Sequence, residues 1–295
     1  MLITIIFNRI SWEEKELITE AKRKGININT LDNRNVFFNL EKKKFETDVF
    51  VQRSLSYLRG LYSTAILENQ GYSVVNSFTT TRICGDKLIT SLELIKAGIP
   101  IPKTYCAFTK ESALEALEEI GYPAIIKPVI GSWGRLVALL KEPETAIAVL
   151  EDRETLGQLY QKIFYLQEYV KMPPRDRRLY LNRKSVARDI RSFVIGDEVV
   201  EAMNRYPIPG DWRSAATRGA KAETCKITPE IEELSLKAAK VVNGEILGID
   251  LMENEKNELM VQEINHGPGF KAISLSTGRN IAGKIIDYLI KKYKK

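Results

Sequence analysis

One histidine, His266, stands among 295 residues, and that scarcity excludes most catalytic schemes built on imidazole. No His-Glu-x-x-His zinc helix can be drawn, and a nucleophilic triad would have to run through that single residue. Cysteine is almost as rare. Cys84, Cys106 and Cys225 lie far apart with no Cys-x-x-Cys pair for zinc or redox chemistry, so they read as buried thiols. Long apolar runs are missing too: the first, Leu2 to Phe7, is six residues long and ends at Asn8 and Arg9. A membrane span needs roughly 20, and no signal-peptide pattern is present, so a cytoplasmic protein with no membrane partner is expected. No Gly-x-Gly-x-x-Gly follows that run, which argues against a nicotinamide site.

What the chain has is enough apolar sequence, 44% hydrophobic against 28% charged, to build two or three compact lobes. Its net charge of +6 is unevenly placed. Lys171, Arg175, Arg177, Arg178, Arg183, Lys184, Arg188 and Arg191 stand against only Asp176 and Asp189 in one stretch, which holds the whole excess. A nucleic-acid binder would spread such charge and add an aromatic platform, so an acidic partner or a phosphorylated ligand is preferred.

Leu2 to Phe7 suits a buried strand, and Ser11 with Glu14 makes a capping box for a helix that Gly25 stops. Strands at 48–51 and 73–75 with a helix over 57–69 make residues 1–82 an α/β lobe with a parallel sheet. Helical patterns follow at Lys87 to Ala97 and Glu111 to Ile120, ended by Gly98 with Pro100 and Pro102, and by Gly121 with Pro123. Strands are predicted at 124–129, 135–140 and 164–170, then a hairpin of 192–195 and 198–203, then a pair at 248–252 and 259–264. A last helix covers Ile281 to Tyr293. The expected division is 1–82, a central lobe 83–165, and a C-terminal lobe 166–295 with an antiparallel sheet.

Four groups of residues carry chemistry. Gly131, Ser132, Trp133, Gly134, Arg135 and Leu136 form a loop between predicted strands. Its glycines can free N–H groups to cradle phosphate, although a plain tight turn reads equally well. Lys127, alone on a strand of Ile and Ala, is costly there unless an anion meets it or its stem snorkels out; Lys87 opens a helix, and Gln167-Glu168-Tyr169-Val170 ends a strand. Asp250 sits in an apolar strand while Glu263 and Asn265 share a face of its neighbour, so three oxygen donors converge as Mg²⁺ bridged to nucleotide phosphates requires. Arg191, Arg205, Arg213 and Arg218 could hold a phosphoryl group or carboxylates, though each alone reads as a surface residue.

In this order the groups resemble the ATP-grasp superfamily over residues 83–295, with 1–82 resembling its α/β pre-ATP-grasp domain. The closer resemblance is to the LysX/ArgX ligases of the RimK-like branch. It is carried by Cys84-Gly85-Asp86-Lys87, by Gly98 to Lys103, by Lys127 to Leu136, by Gln167 to Val170, by Arg188-Asp189-Ile190-Arg191, and by Asn265-His266 followed by Phe270-Lys271. The resemblance implies an α/β ATP-grasp fold and a carboxylate–amine ligase that uses ATP and Mg²⁺. Lys87 and Lys127 would hold phosphates, the 131–136 loop would close over them, and Gln167 to Val170 would receive adenine through backbone and side chains. Asp250, Glu263 and Asn265 would bind Mg²⁺, Arg191, Arg205 and Arg218 would serve the chemistry, and His266, Gly269, Phe270, Lys271, Ala272 and Ile273 would lie at the substrate. The implied partner is a small acidic LysW-type carrier protein, whose C-terminal glutamate side chain is joined to the amino group of 2-aminoadipate or glutamate in lysine or arginine synthesis. A RimK-like ligase adding glutamate to another tail is the alternative enzyme, and a non-catalytic ATP-binding protein the alternative of another class; oligomeric state is left open.

The chain departs from this family's pattern at Ala215, where an asparagine is common, and at Gly269, where a glutamate is usual. The pair Ala272-Ile273 matches neither the Gly-Phe of glutamate-type ligases nor the Asn-plus-small pair of aminoadipate-type ones. Its smaller bulk favours the longer 2-aminoadipate. About thirteen residues before Arg188 look inserted, and their arginines suit an acidic carrier approaching through water. Steering of this kind weakens as the Debye length falls from about 10 Å at 0.1 M salt to about 3 Å at 1 M. Neutralising Arg177, Arg178 and Arg183 together is expected to raise KM for the carrier at low salt and leave KM for ATP unchanged; an unaltered carrier KM and salt dependence would make the segment a solvated extension only.

Overall fold

The computed structural model describes residues 1–132, 134–171, 188–208 and 219–294. Trp133, the inserted basic stretch, Trp212, Arg213, Ala215 and Arg218 lie outside those residues. The chain opens with β1 (Leu2–Phe7) and α1 (Trp12–Arg23), joined by the expected capping box: Glu14 accepts from the Ser11 N–H at 2.7 Å. β2 (Asn27–Asp32), a largely exposed polar edge strand, was not expected from its composition. β3 (Val49–Gln52), α2 (Tyr57–Asn69) and β4 (Val74–Val75) complete a parallel sheet in the order β2-β1-β3-β4. Two helices lead out of it, α3 (Phe78–Cys84) and α4 (Lys87–Lys96), the second capped by Asp86, which accepts from the N–H groups of Leu88 and Ile89.

The middle of the chain supplies β5 (Thr104–Ala107), α5 (Lys110–Ile120), β6 (Ala124–Lys127), β7 (Ala138–Leu140), α6 (Pro143–Leu156) and β8 (Phe164–Glu168). Their antiparallel sheet runs β5-β8-β6-β7, and the expected boundary at 165/166 falls inside β8. Ala124, Ile126, Phe164 and Leu166 point to the face packed with α5 and α6 residues, which leaves Ile125, Lys127, Tyr165 and Gln167 on the other.

The C-terminal sheet is antiparallel, ordered β11-β10-β9-β12-β13. Its strands are β9 (Asp189–Ile195), β10 (Glu198–Tyr206), β11 (Lys221–Thr224), β12 (Ile246–Glu253) and β13 (Leu259–Asn265), with α7 (Pro229–Val241) between β11 and β12. On one face Ile190, Val194, Leu247, Ile249 and Leu251 pack with α7 and α4 residues. On the other, Phe193, Ile195 and Ile246 pack with β1, with α8 (Lys271–Thr277) and with α9 (Ile281–Tyr293). This second face joins the N-terminal lobe to the C-terminal one.

Asn76, 3% exposed, ties that junction with its whole amide. It donates to the carbonyls of Ile246 and His266, both at 2.7 Å, and accepts from the N–H groups of Glu245 and Ile246 at 2.7 and 3.1 Å. Four buried backbone groups on two segments thus depend on one side chain. Asn76→Ala is expected to cost about 2–4 kcal/mol of unfolding free energy in denaturant titration, because those groups are left without partners; a loss near zero would show that the junction does not rely on it.

Candidate active site

Lys127 ends an apolar strand and is 7% exposed, as a lone cation on such a strand should not be without a partner. Its Nζ donates to Gln167 Oε1 at 2.6 Å. Gln167 in turn donates to Thr104 Oγ1 at 3.0 Å and to the Tyr165 hydroxyl at 3.2 Å, and Tyr165 shares a hydrogen bond with Ser91 of α4 at 2.8 Å. The chain of bonds fixes the Gln167 amide with its oxygen toward the lysine. Desolvation, with the Lys87 charge adding to it, pulls the Lys127 pKa down to about 8 against the opposing pull of Glu263 and Asp250.

Facing it is a row of charge on the C-terminal sheet. Cross-strand register sets Asp189 beside Arg205, Arg191 beside Asp250, Asp250 beside Glu263, and Gly248 beside Asn265. Arg191 grips Asp250 through Nε and Nη2, Arg205 reaches Asp250 at 3.0 Å, and Arg205 also pairs with Asp189 at 2.7 and 2.5 Å. Burial alone would raise the Asp250 pKa, but the two guanidiniums overcome it and hold the carboxyl below its usual range. Asn265 lies 3.4 Å from Asp250 Oδ2.

Lys87 joins the two sheets. Its ammonium is 3.2 Å from Glu263 and donates to the Gly131 carbonyl at 2.7 Å, while its backbone N–H donates to Val129 O at 2.8 Å. A small pocket opens beside it, lined by Lys87, Ser91, Gln167, Gln262 and Glu263. The glycine loop leaves the same place with Ser132 and Arg135 exposed, and Gly134 takes φ +63°, a conformation that favours glycine. Arg153 of α6, buried, donates to the Leu136 carbonyl at 2.5 Å and so holds the loop's far end.

The Gln167 side chain is turned inward to Lys127, Glu168 accepts from the Lys103 N–H at 2.8 Å, Tyr169 is half-buried and Val170 is buried. Phe270 and Ile273 are fully buried in the core, Phe270 with its ring edge-on to Trp12 and Phe193, and Phe270 also lines a second small pocket with Arg53, His266 and Pro268. Gly269 and Lys271 are exposed, Ala272 is partly buried, and Glu13 accepts from the Lys271 N–H at 3.3 Å. His266 is half-buried, and desolvation with Arg53 nearby lowers its pKa to about 4, so it stays neutral near pH 7.

Comparison with known proteins agrees with this arrangement of two facing sheets. Residues 84–289 match the RimK-like ATP-grasp domain and residues 3–83 the LysX preATP-grasp domain. The chain belongs to the RimK-like ATP-grasp family. It is 38% identical to the alpha-aminoadipate–LysW ligase LysX of Saccharolobus solfataricus over 88% of this chain and 90% of that protein. It is 32% identical to the glutamate–LysW ligase ArgX of Sulfurisphaera tokodaii over 100% of both. Among solved structures, a RimK domain ATP-grasp protein from Sphaerobacter thermophilus superposes with TM-score 0.79 at 20% identity, covering 98% of this chain and 99% of that one. As an ATP-grasp ligase the chain uses ATP, and no helix among the described residues is long and apolar enough to cross a membrane.

The ATP-grasp family generally takes a divalent cation with its nucleotide, and the donor set here suits Mg²⁺. Among the described residues no three His, Cys, Asp or Glu side chains gather into a metal cluster. Asp250, Glu263 and the amide of Asn265 nevertheless offer hard oxygens from registered neighbours, with charges met by cations that phosphates can also engage. The sequence marks Asp189 only as part of the Arg188-Asp189-Ile190-Arg191 motif, two residues before Arg191 on one strand face and with no role of its own, and does not mark Tyr165 or Arg153.

A lysine with its pKa lowered is a group that an arriving anion recharges. In the fold Lys127 is charged below about pH 8, whereas the unfolded chain keeps its lysines charged to higher pH, so this group makes stability rise with pH from about 8 upward. Nucleotide binding at pH 8–9 is therefore expected to take up a fraction of a proton, read from calorimetric heats in buffers of different ionisation enthalpy. The uptake should vanish in Lys127→Met; equal uptake in both proteins would place the proton elsewhere.

Proposed function

We propose that this chain joins the amino group of 2-aminoadipate or glutamate to the side-chain carboxyl of the C-terminal glutamate of a small acidic LysW-type carrier, with ATP as phosphoryl donor. The observation that carries this reading is likeness along the whole chain to LysW ligases of both names, at 31–38% identity. Probable alpha-L-glutamate ligases are 28–33% identical but over 78–91% of this chain, so it is coverage, up to the whole of both chains for a LysW ligase, that sets the LysW ligases apart.

Lys127 and Lys87 bind the nucleotide phosphates, and backbone N–H groups of the 131–136 loop add donors once it closes. The carrier carboxylate oxygen takes the γ-phosphoryl group, ADP leaves, and an acyl phosphate forms. Mg²⁺ held by Asp250, Glu263 and Asn265 would neutralise phosphate charge. Arg191, Arg205 and Arg218 would supply positive charge toward the transferring group, and the low exposure of Arg191 and Arg205 strengthens the contacts that those two make. The amine then attacks the acyl carbon, phosphate departs with the bonding pair, and the amine loses a proton to give the amide. His266, neutral at ordinary pH, can accept a hydrogen bond near this step. A reaction that consumes ATP suits the cytoplasm as its compartment.

Incubating the purified chain with ATP, Mg²⁺, a carrier ending in glutamate and each amino acid tests the reading by intact mass. A gain of one amino-acid residue on the carrier is expected with both acids. Because one methylene gives only about 1–3 kcal/mol of discrimination, the two kcat/KM values should lie within about a hundredfold. No gain on the carrier, with glutamate added to an unrelated peptide tail instead, would replace this reading with the alternative ligase.

A further inference from the structure

Asp250 is claimed three times over: by Arg191, by Arg205, and, in the reading above, by a divalent cation. A carboxylate engaged by two guanidiniums is a poor cation ligand unless one of them can be satisfied elsewhere. The described residues give the two arginines unequal positions. Arg205 has a second carboxylate, Asp189, which it grips with Nε at 2.7 Å and Nη2 at 2.5 Å. Among the described residues Arg191 pairs with Asp250 alone, and its stem lies across Gly248, where an added Cβ would come within 3.1 Å of Arg191 Cδ.

Resting on the ATP-grasp reading, we propose that Asp189 is a positioning residue of the cation site: by holding Arg205 it keeps Asp250 available to the cation and leaves Arg191 as the arginine that exchanges Asp250 for the transferring phosphoryl group. The side chains are 3–4% exposed at Asp189 and Asp250 and 6% at Arg205, so water does little to screen the contest. Among the described residues the ion-paired groups here are Asp189, Asp250, Arg191 and Arg205, two of each sign. Losing the Asp189 charge does two things in the same direction. It makes Arg205 depend on Asp250, and it leaves a net positive charge beside the place a cation must occupy.

The test is Mn²⁺ binding, as a stand-in for Mg²⁺, measured by calorimetry on the full chain with a non-hydrolysable ATP analogue. In Asp189→Asn the Mn²⁺ dissociation constant is expected to rise about tenfold, while the affinity for the analogue without metal stays within about twofold of wild type. Unchanged Mn²⁺ affinity in a variant whose circular dichroism is native overturns the proposal, since a purely structural role would lower melting temperature and nothing else. Should Asp189→Asn fail to fold, the double variant Asp189→Asn/Arg205→Met removes the pair as a neutral unit. With Arg205 gone there is no second guanidinium to be kept from Asp250, so Mn²⁺ is expected to bind at least as tightly as to wild type; weaker binding overturns the proposal. Failure of the wild-type chain to bind Mn²⁺ with the analogue would instead sink the ATP-dependent reading itself.

Discussion

Burying charge without leaving it unpaired is the constraint on which this molecule depends. Lys127, Asp189, Arg205 and Asp250 each lie below a tenth exposed. An isolated ion so placed would cost several kcal/mol, so each must be answered by a partner or by a ligand. The C-terminal sheet answers its charges internally, by register: Asp189 against Arg205 and Arg191 against Asp250. The central sheet does not. Lys127 is met by an amide oxygen and only distantly by carboxylates, which leaves it the group with most to gain from a phosphate.

Strand alternation lets one sheet serve as core and site at once. On β9, Asp189 and Arg191 share a face with Phe193 and Ile195, so the polar half of that face continues into the apolar half that holds the N-terminal lobe. The other face is apolar throughout except for Ser192, which bonds Ser235 of α7 at 2.7 Å. Site and lobe junction are therefore mechanically continuous. A shift in β9 register by one residue would bury the charges against α7 and expel Ile190 and Val194, which makes the register costly to lose.

How much of this is legible in the sequence follows from where partners lie along it. α1 and α9 are readable because caps and apolar stripes are local. α6 was not, since its buried stripe is Ala146, Leu150 and Arg153, and one member is charged. α7 hides for a similar reason: Ile231, Ser235, Ala238 and Ala239 are mostly small. Among site residues, Lys127 and Asp250 stand out as charges in apolar strands. Tyr165 does not, because its role comes from Ser91, far away in sequence, and Arg153 acts on a loop carbonyl that no pattern marks.

Selectivity between two acids that differ by one methylene must then be sought away from the residues that first suggested it. Ile273 belongs to the core with Phe193 and Phe270, so its bulk acts on a ligand only by moving backbone. The exposed groups nearby are Gly269 and Lys271, and an added Cβ at Gly269 would come within 3.1 Å of Glu13. Glu13 is itself fixed, accepting from Ser11 and from the Lys271 N–H; burial raises its pKa, but the Ser11 hydrogen bond first, then its own N–H and Arg53, hold it below the usual carboxylate range. A carboxylate held there by the N-terminal lobe would repel an acidic side chain bound beside it, and Lys271 would attract one. In the proposed reaction the length of the amino acid would be read by where its distal carboxylate falls between these two charges, rather than by the volume of an apolar pocket. Charge placement tolerates a methylene more readily than a closed apolar wall does, so such a reading would let both acids be used.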